Sequence, residues 1–188
     1  MANPLKQTIS IFVLGLLIGS AGMWIYQTDF QSSTTGLATL SNTNSIQPFF
    51  CPRDSCANRL SQKISEAKDS VDVAIYSFTS KEIKTALIEA KNNGVTVRVL
   101  FDAGQAKSQY STDEELQNAG ILVKRMELER GILHDKFAII DSQTVATGSF
   151  NYSANADEYN KENLVFITDS AIAHQYAAEF ENLWNQTI

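Results

Sequence analysis

Residues 131–151 read GILHDKFAIIDSQTVATGSFN, and this stretch restricts the fold more than any other. Phe137-Ala138-Ile139-Ile140 and Thr144-Val145-Ala146-Thr147 are short apolar or β-branched runs separated by the polar triplet Asp141-Ser142-Gln143. They predict two buried strands joined by a tight turn. Side chains alternate faces along a strand, so His134 and Lys136 are expected to project the same way. If the strands pair as a hairpin, Ser149 and Asn151 return beside His134 and Lys136. One imidazole, one ammonium and two small hydrogen-bonding side chains then face one point, a set suited to an anion.

The rest of the chain alternates helical and strand patterns. Residues 48–50 suggest a first short strand. A helix is expected from Asp54, as its cap, to about Asp69, with Leu60, Ile64 and Ala67 on one face. Residues 71–78 form an apolar, β-branched strand of central type. Ser80 caps a second helix carrying Ile83, Leu87 and Ala90, with Gly94 past its end. Residues 95–101 are the next strand, and Asp102-Ala103-Gly104 turns the chain out. Thr112 and Glu115 have capping-box spacing for a helix ending at Gly120. A short strand at 121–125 follows, then an irregular charged segment, 126–130. After Asn151 the sequence predicts a polar loop at 152–161 and a strand at 163–167. A last helix, capped by Ser170, places Ile172, Tyr176, Phe180 and Leu183 together. This alternation implies an α/β fold, a mixed β-sheet flanked by helices on both faces. There is no internal repeat.

Residues 8–26 are apolar and uncharged, long enough to cross a bilayer core, and expected as an N-terminal transmembrane helix. Lys6 before them and Asp29 after them favour the N-terminus inside; Trp24 and Tyr26 suit an interface. A cleaved signal peptide, with Ser20-Ala21-Gly22 as a small-residue site, is the competing reading. The division expected is therefore 1–27 as membrane anchor or signal peptide, 28–45 as a Ser/Thr/Asn-rich linker, and 46–188 as the folded domain. The formal net charge of −6 argues against a surface that coats nucleic acid, but not against a small anion site. Cys51 and Cys56 are the only cysteines. A disulfide is the first reading for a domain outside the cytoplasm, free thiols the second and half a metal site the third.

Written as spacing, residues 134–151 are His134-x-Lys136, four residues, Asp141, six residues, Gly148-Ser149-x-Asn151. Six defined positions over 18 residues resemble the signature of the phospholipase D superfamily. Each residue alone has an ordinary explanation as a turn or surface group; the joint spacing does not. Most members carry two copies, and the single copy here is similar to the short branch of bacterial periplasmic endonucleases and mitochondrial cardiolipin hydrolases. The similarity runs from about Phe49 to Ile167.

The resemblance implies a fold, a reaction and roles. His134 would be the nucleophile that forms a phosphohistidine, and a second copy's His134 would protonate the leaving oxygen, making the active unit a homodimer. Lys136, Ser149 and Asn151 would hold the phosphate oxygens, Gly148 would permit close backbone approach, and Glu162 would orient the imidazole. Asp141 joins the catalytic set, with a turn-fixing role as its alternative. No metal or cofactor is implied. The substrate expected first is nucleic acid, with Arg98, Lys124, Arg125 and Arg130 as candidate backbone contacts. Phospholipid, reached through residues 8–26, is the second. A tethered binding module without catalysis is the third. The expected location is the bacterial envelope, with the domain extracytoplasmic; secretion after signal cleavage is the alternative. His174 lies outside the motif and reads as structural or exposed.

Overall fold

The structure, a computed structural model, describes residues 44–187. The expected anchor at 1–27 and the linker up to residue 43 lie outside the described residues. Among the described residues, no helix is long and apolar enough to cross a membrane.

Seven strands form one mixed sheet: β1 (Ser45–Cys51), β2 (Ser70–Ile75), β3 (Thr96–Asp102), β4 (Leu122–Met126), β5 (Lys136–Ile140), β6 (Thr144–Gly148) and β7 (Glu162–Thr168). Their order is β1-β7-β6-β5-β2-β3-β4. The pairs β2–β3 and β3–β4 are parallel; β2–β5, β5–β6, β6–β7 and β7–β1 are antiparallel. It follows that β1–β4 and β6 end, and β5 and β7 begin, at the same edge of the sheet. Every loop leaving that edge can contribute to one site.

Among the described residues six helices complete the fold: α1 (Cys56–Ser65), α2 (Lys81–Asn92), α3 (Ala103–Ala106), α4 (Asp113–Asn118), α5 (Ala154–Glu158) and α6 (Ser170–Gln186). Strand alternation sorts the core into two layers. Val71, Val73, Ile75, Val97, Val99 and Phe101 pack with Leu60, Ile64, Ile83 and Leu87 on the α1/α2 face. Ala74, Leu100, Phe137, Ile139 and Val145 pack with Ala173 and Phe180 on the α6 face. β2 therefore sits between β5 and β3 with apolar neighbours on both sides, as its sequence predicts.

Several local expectations needed correction. Asp54 does not cap α1: it accepts from the Phe50 N–H at 2.8 Å, and the Arg53 guanidinium beside it holds its carboxyl down at about 2. Asp157 of α5 instead accepts from the Ala57 N–H at 2.8 Å. Thr112 makes no capping bond; its hydroxyl and N–H both donate to the Phe78 carbonyl. Asp169, not Ser170, caps α6, accepting from Ala171 and Ile172. The segment 152–161 is not a plain polar loop. It contains α5, and Tyr152 is buried, with its carbonyl accepting from Thr79 and Ser80 and its N–H donating to Ser77. Ser80, by contrast, caps α2 as expected, and Gly94 takes the left-handed conformation after it. Cys51 and Cys56 are joined as a disulfide, with Cα atoms 5.7 Å apart.

Asp141 lies at the far end of β5 from Lys136. Its carboxylate accepts backbone N–H bonds from Lys68 at 3.0 Å, Asp69 at 2.8 Å and Ser70 at 3.1 Å. Asp141 thus staples the α1–β2 connection to the β5–β6 turn, the turn-fixing role that is its alternative. Burial pushes this carboxyl up, but the N–H bonds from Asp69, Ser70 and Lys68 outweigh it and hold the pKa below the ordinary value. The stabilisation is therefore present above the unfolded-state pKa and lost as pH falls through the lower folded one. Asp141→Ala should cost about 2 kcal/mol in urea unfolding at neutral pH. Asp141→Asn, which keeps an acceptor and tolerates the positive φ of 54° there, should cost less. The folded Ala variant should keep its turnover; a selective loss of turnover would return Asp141 to the reaction.

Candidate active site

The β5–β6 hairpin forms with Phe137 opposite Thr147 and Ile140 opposite Thr144. Continued one step, this register sets Gly148 across from Lys136. β7 lies on the other side of β6, pairing Gly148 with Leu164, so Glu162 begins its strand beside the end of β6. This register brings the end of β6 beside the start of β5 at one edge of the sheet.

His134 precedes β5 and is exposed. Its ring centroid lies 4.9 Å from that of Tyr76, tilted by 56°. The Lys136 ammonium donates to the His134 carbonyl at 2.7 Å and sits 5.1 Å from the centre of the same Tyr76 ring. A cation over an aromatic face is stabilised by about 0.5–2 kcal/mol, more when desolvated. Partial burial lowers the Lys136 pKa against the opposing pull of Asp135 and Glu162. Asp135 is pushed up, by desolvation first and by Glu179 second.

Ser149 and Glu162 are coupled: the Ser149 hydroxyl donates to Glu162 Oε2. The other Glu162 oxygen accepts from Asn160 Nδ2 at 2.9 Å. Within this chain Glu162 thus braces Ser149, and its carboxylate oxygens are engaged by Ser149 and Asn160 rather than by His134. Ser149 is held further by Asn163, whose backbone N–H donates to the Ser149 hydroxyl at 3.1 Å. Gly148 has a specific cause. A Cβ there would collide with the Asn163 backbone carbonyl and lie 2.6 Å from Asn163 Oδ1. The close approach that requires glycine is thus β6 against β7. Asn151 follows, and its buried Oδ1 has no hydrogen-bond partner. Buried polar groups are rarely left so. Its neighbour Tyr152, locked into the core, fixes where that amide sits.

A cleft of about 370 Å³ adjoins His134 and Lys136 and is closed on one side by Gln175, Tyr176 and Glu179 of α6. The candidate phosphate-tracking cations do not gather here. Arg98 is engaged by Asp72 at 2.7 Å and Glu181 at 2.6 Å and lies over Phe180, on the α6 face. Lys124 donates to the Trp184 carbonyl at 2.9 Å and to that of Thr187, closing the end of α6. Arg125 pairs with Asp113 at 2.6 Å. Of the four, Lys124 and Arg130 are without an ion pair among the described residues, and Arg130 is exposed on the loop before His134. Strand alternation and helix-end chemistry consumed the other three. His174 is exposed on α6, as read.

Sequence reasoning missed Tyr76, Asn160 and Asp157. Tyr76 was absorbed into an apolar strand, although β2 ends one residue earlier. Cys51, Cys56 and Asp157 are the group of metal-ligating side chains found among the described residues. There the sulfurs are bonded to each other and Asp157 caps α1.

Residues 60–184 match the family described as cardiolipin synthase, PLD-like domain. The chain is 35% identical over 176 residues to a phospholipase D of Rickettsia bellii, covering 88% of this chain and 87% of that protein. It is 34% identical over 139 residues to a mitochondrial cardiolipin hydrolase of Xenopus laevis, covering 72% and 66%. Among solved structures, Nuc of Salmonella typhimurium, a phospholipase D family member, superposes with TM-score 0.73 at 32% identity, covering 77% of this chain and 97% of that one. NucT of Helicobacter pylori superposes equally well at 29% identity, covering 77% and 98%. With one His134-x-Lys136 motif at the edge of a mixed seven-stranded sheet, the chain belongs to the phospholipase D superfamily and is a phosphodiester hydrolase.

Proposed function

We propose that the protein is an endonuclease that cleaves nucleic-acid phosphodiester bonds without a metal, through a phosphohistidine, in a homodimer. The observation that carries this reading is the single motif: one imidazole and one ammonium share one ring, beside an amide with an unpartnered buried oxygen. An imidazole nitrogen of His134 attacks phosphorus, and the bond to the leaving oxygen breaks. That oxygen takes a proton from the second protomer's imidazole. The same imidazole then removes a proton from water, which attacks the phosphohistidine and frees His134. Lys136, Ser149 and Asn151 hold the non-bridging oxygens as charge develops. In a dimer, Glu162 of one copy is available to orient the imidazole of the other.

Nucleic acid is preferred because Tyr110 and Tyr159 are 71% and 72% exposed, with Arg130 and Lys161 also exposed. Exposed aromatics with interspersed cations suit stacked, single-stranded bases. A phospholipid is the second reading. It is favoured by the relatives named phospholipase D and cardiolipin hydrolase, and by Leu128 and Ile132, exposed just before His134. The Cys51–Cys56 disulfide and the apolar stretch at 8–26 support an extracytoplasmic, membrane-tethered domain.

The purified protein should cleave single-stranded nucleic acid in EDTA, with duplex DNA, RNA and cardiolipin run in parallel. His134→Asn should lower the rate by at least a thousandfold, an order of magnitude ordinary for loss of a nucleophile. Cleavage of cardiolipin alone would replace the nuclease reading with the lipid one. Loss of all activity in EDTA by a folded protein would sink the mechanism.

Mixing equal amounts of the His134→Asn variant and wild type, with time for subunit exchange, should depress activity below simple dilution. Strictly proportional dilution would mean that each chain works alone.

Because partial burial lowers the Lys136 pKa, the alkaline limb of kcat/KM should fall below the ordinary lysine range near 10.5. A plateau extending past that value would exclude Lys136 as the required cation.

A further inference from the structure

We infer that Tyr76 is a positioning residue of the active site, and that its aromatic ring rather than its hydroxyl does the positioning. The inference deepens the phosphohistidine reading of His134 and rests on it.

Tyr76 is the first residue beyond β2. Its N–H donates to the Asp135 carbonyl at 2.9 Å, extending the β2–β5 ladder one step past the Ile75–Lys136 pair. That bond fixes the Tyr76 backbone between the two motif residues. The half-buried ring then meets both of them, the His134 imidazole at 4.9 Å and the Lys136 ammonium at 5.1 Å. Its hydroxyl faces away into a bond from Gln105 Nε2 of α3, at 3.2 Å. Among the described residues, no hydrogen bond orients the imidazole, and the Lys136 ammonium has two partners, the His134 carbonyl and this ring. Tyr76 is therefore the surface against which both motif side chains are arranged.

The ring also has an electrostatic role. Its π face is negative and attracts cations. Lys136 is a cation from the start. The imidazole becomes one as it bonds to phosphorus, and the partner imidazole is one when it acts as acid. A fixed aromatic face favours that charge without reorganising as it forms, which is what lowers a barrier. A residue that acted only through packing would leave the state of His134 untouched.

The test compares Tyr76→Phe, which keeps the ring, with Tyr76→Leu, which removes it; Tyr76→Met serves if Leu at this position fails to fold. Phe should keep kcat within about threefold. Leu should lower kcat by about tenfold or more with KM changed less than about threefold. The readout independent of activity is NMR. The chain has two histidines, so a His174→Asn background leaves the His134 resonances alone. In that background they should carry the ring-current shift of a neighbouring aromatic in wild type and Phe and lose it in Leu. Equal losses in Phe and Leu would assign the role to the hydroxyl and overturn the inference. So would unchanged kcat in Leu, or a lowered kcat with the His134 ring-current shift unmoved. If His134→Asn stays active, the phosphohistidine reading fails, and the NMR comparison still reports whether the ring holds His134.

Discussion

The backbone ladder between β2 and β5 is the interaction on which the site depends. It is the seam where the parallel half of the sheet meets the antiparallel half. Its register pairs Ile75 with Lys136 and, one step on, brings the Tyr76 N–H to the Asp135 carbonyl. A shift of one residue would turn Lys136 to the opposite face and replace Phe137 in the α6 layer with a charge. Burying that charge makes the shift prohibitively costly. The hydrophobic core thereby sets the position of a cation at its edge.

A second constraint holds the other half of the site. β6 and β7 approach so closely at Gly148 that no Cβ fits against the Asn163 carbonyl. That approach lets Ser149 and Asn163 exchange bonds and brings Ser149 to Glu162. Asp102 ties the remaining loop, accepting from Gln105 at the start of α3 and from Leu133 just before His134. Its carboxylate links the end of β3 to the approach to β5. Side chains that read in sequence as caps or turn residues thus serve as cross-links between loops at one edge.

Much of the fold was legible because its signals are local and periodic. The hairpin, the central character of β2, the Ser80 cap and the α6 stripe each follow from residues close in sequence. The caps supplied by Asp157 and Asp169, and the staple made by Asp141, were not all legible. Asp157 and Asp141 each bond to backbone 71 or more positions away, and no local pattern encodes such a partner. Arg98, Lys124 and Arg125 looked like surface cations because their acceptors, Asp72, Glu181, the end of α6 and Asp113, lie on other elements.

What the sequence alone determined was the identity and order of the motif groups. His134-x-Lys136 and Gly148-Ser149-x-Asn151 occupy the ends of two strands too short and too apolar to do anything but pair. What only the tertiary structure decided was which groups surround them: Tyr76 under His134 and Lys136, Glu162 on Ser149, and Asp141 withdrawn to the opposite edge. The physical reason is the difference in range. Strand periodicity and turn chemistry act over a few residues, whereas sheet order and register join segments tens of residues apart. Those contacts exist only once the core has chosen one packing.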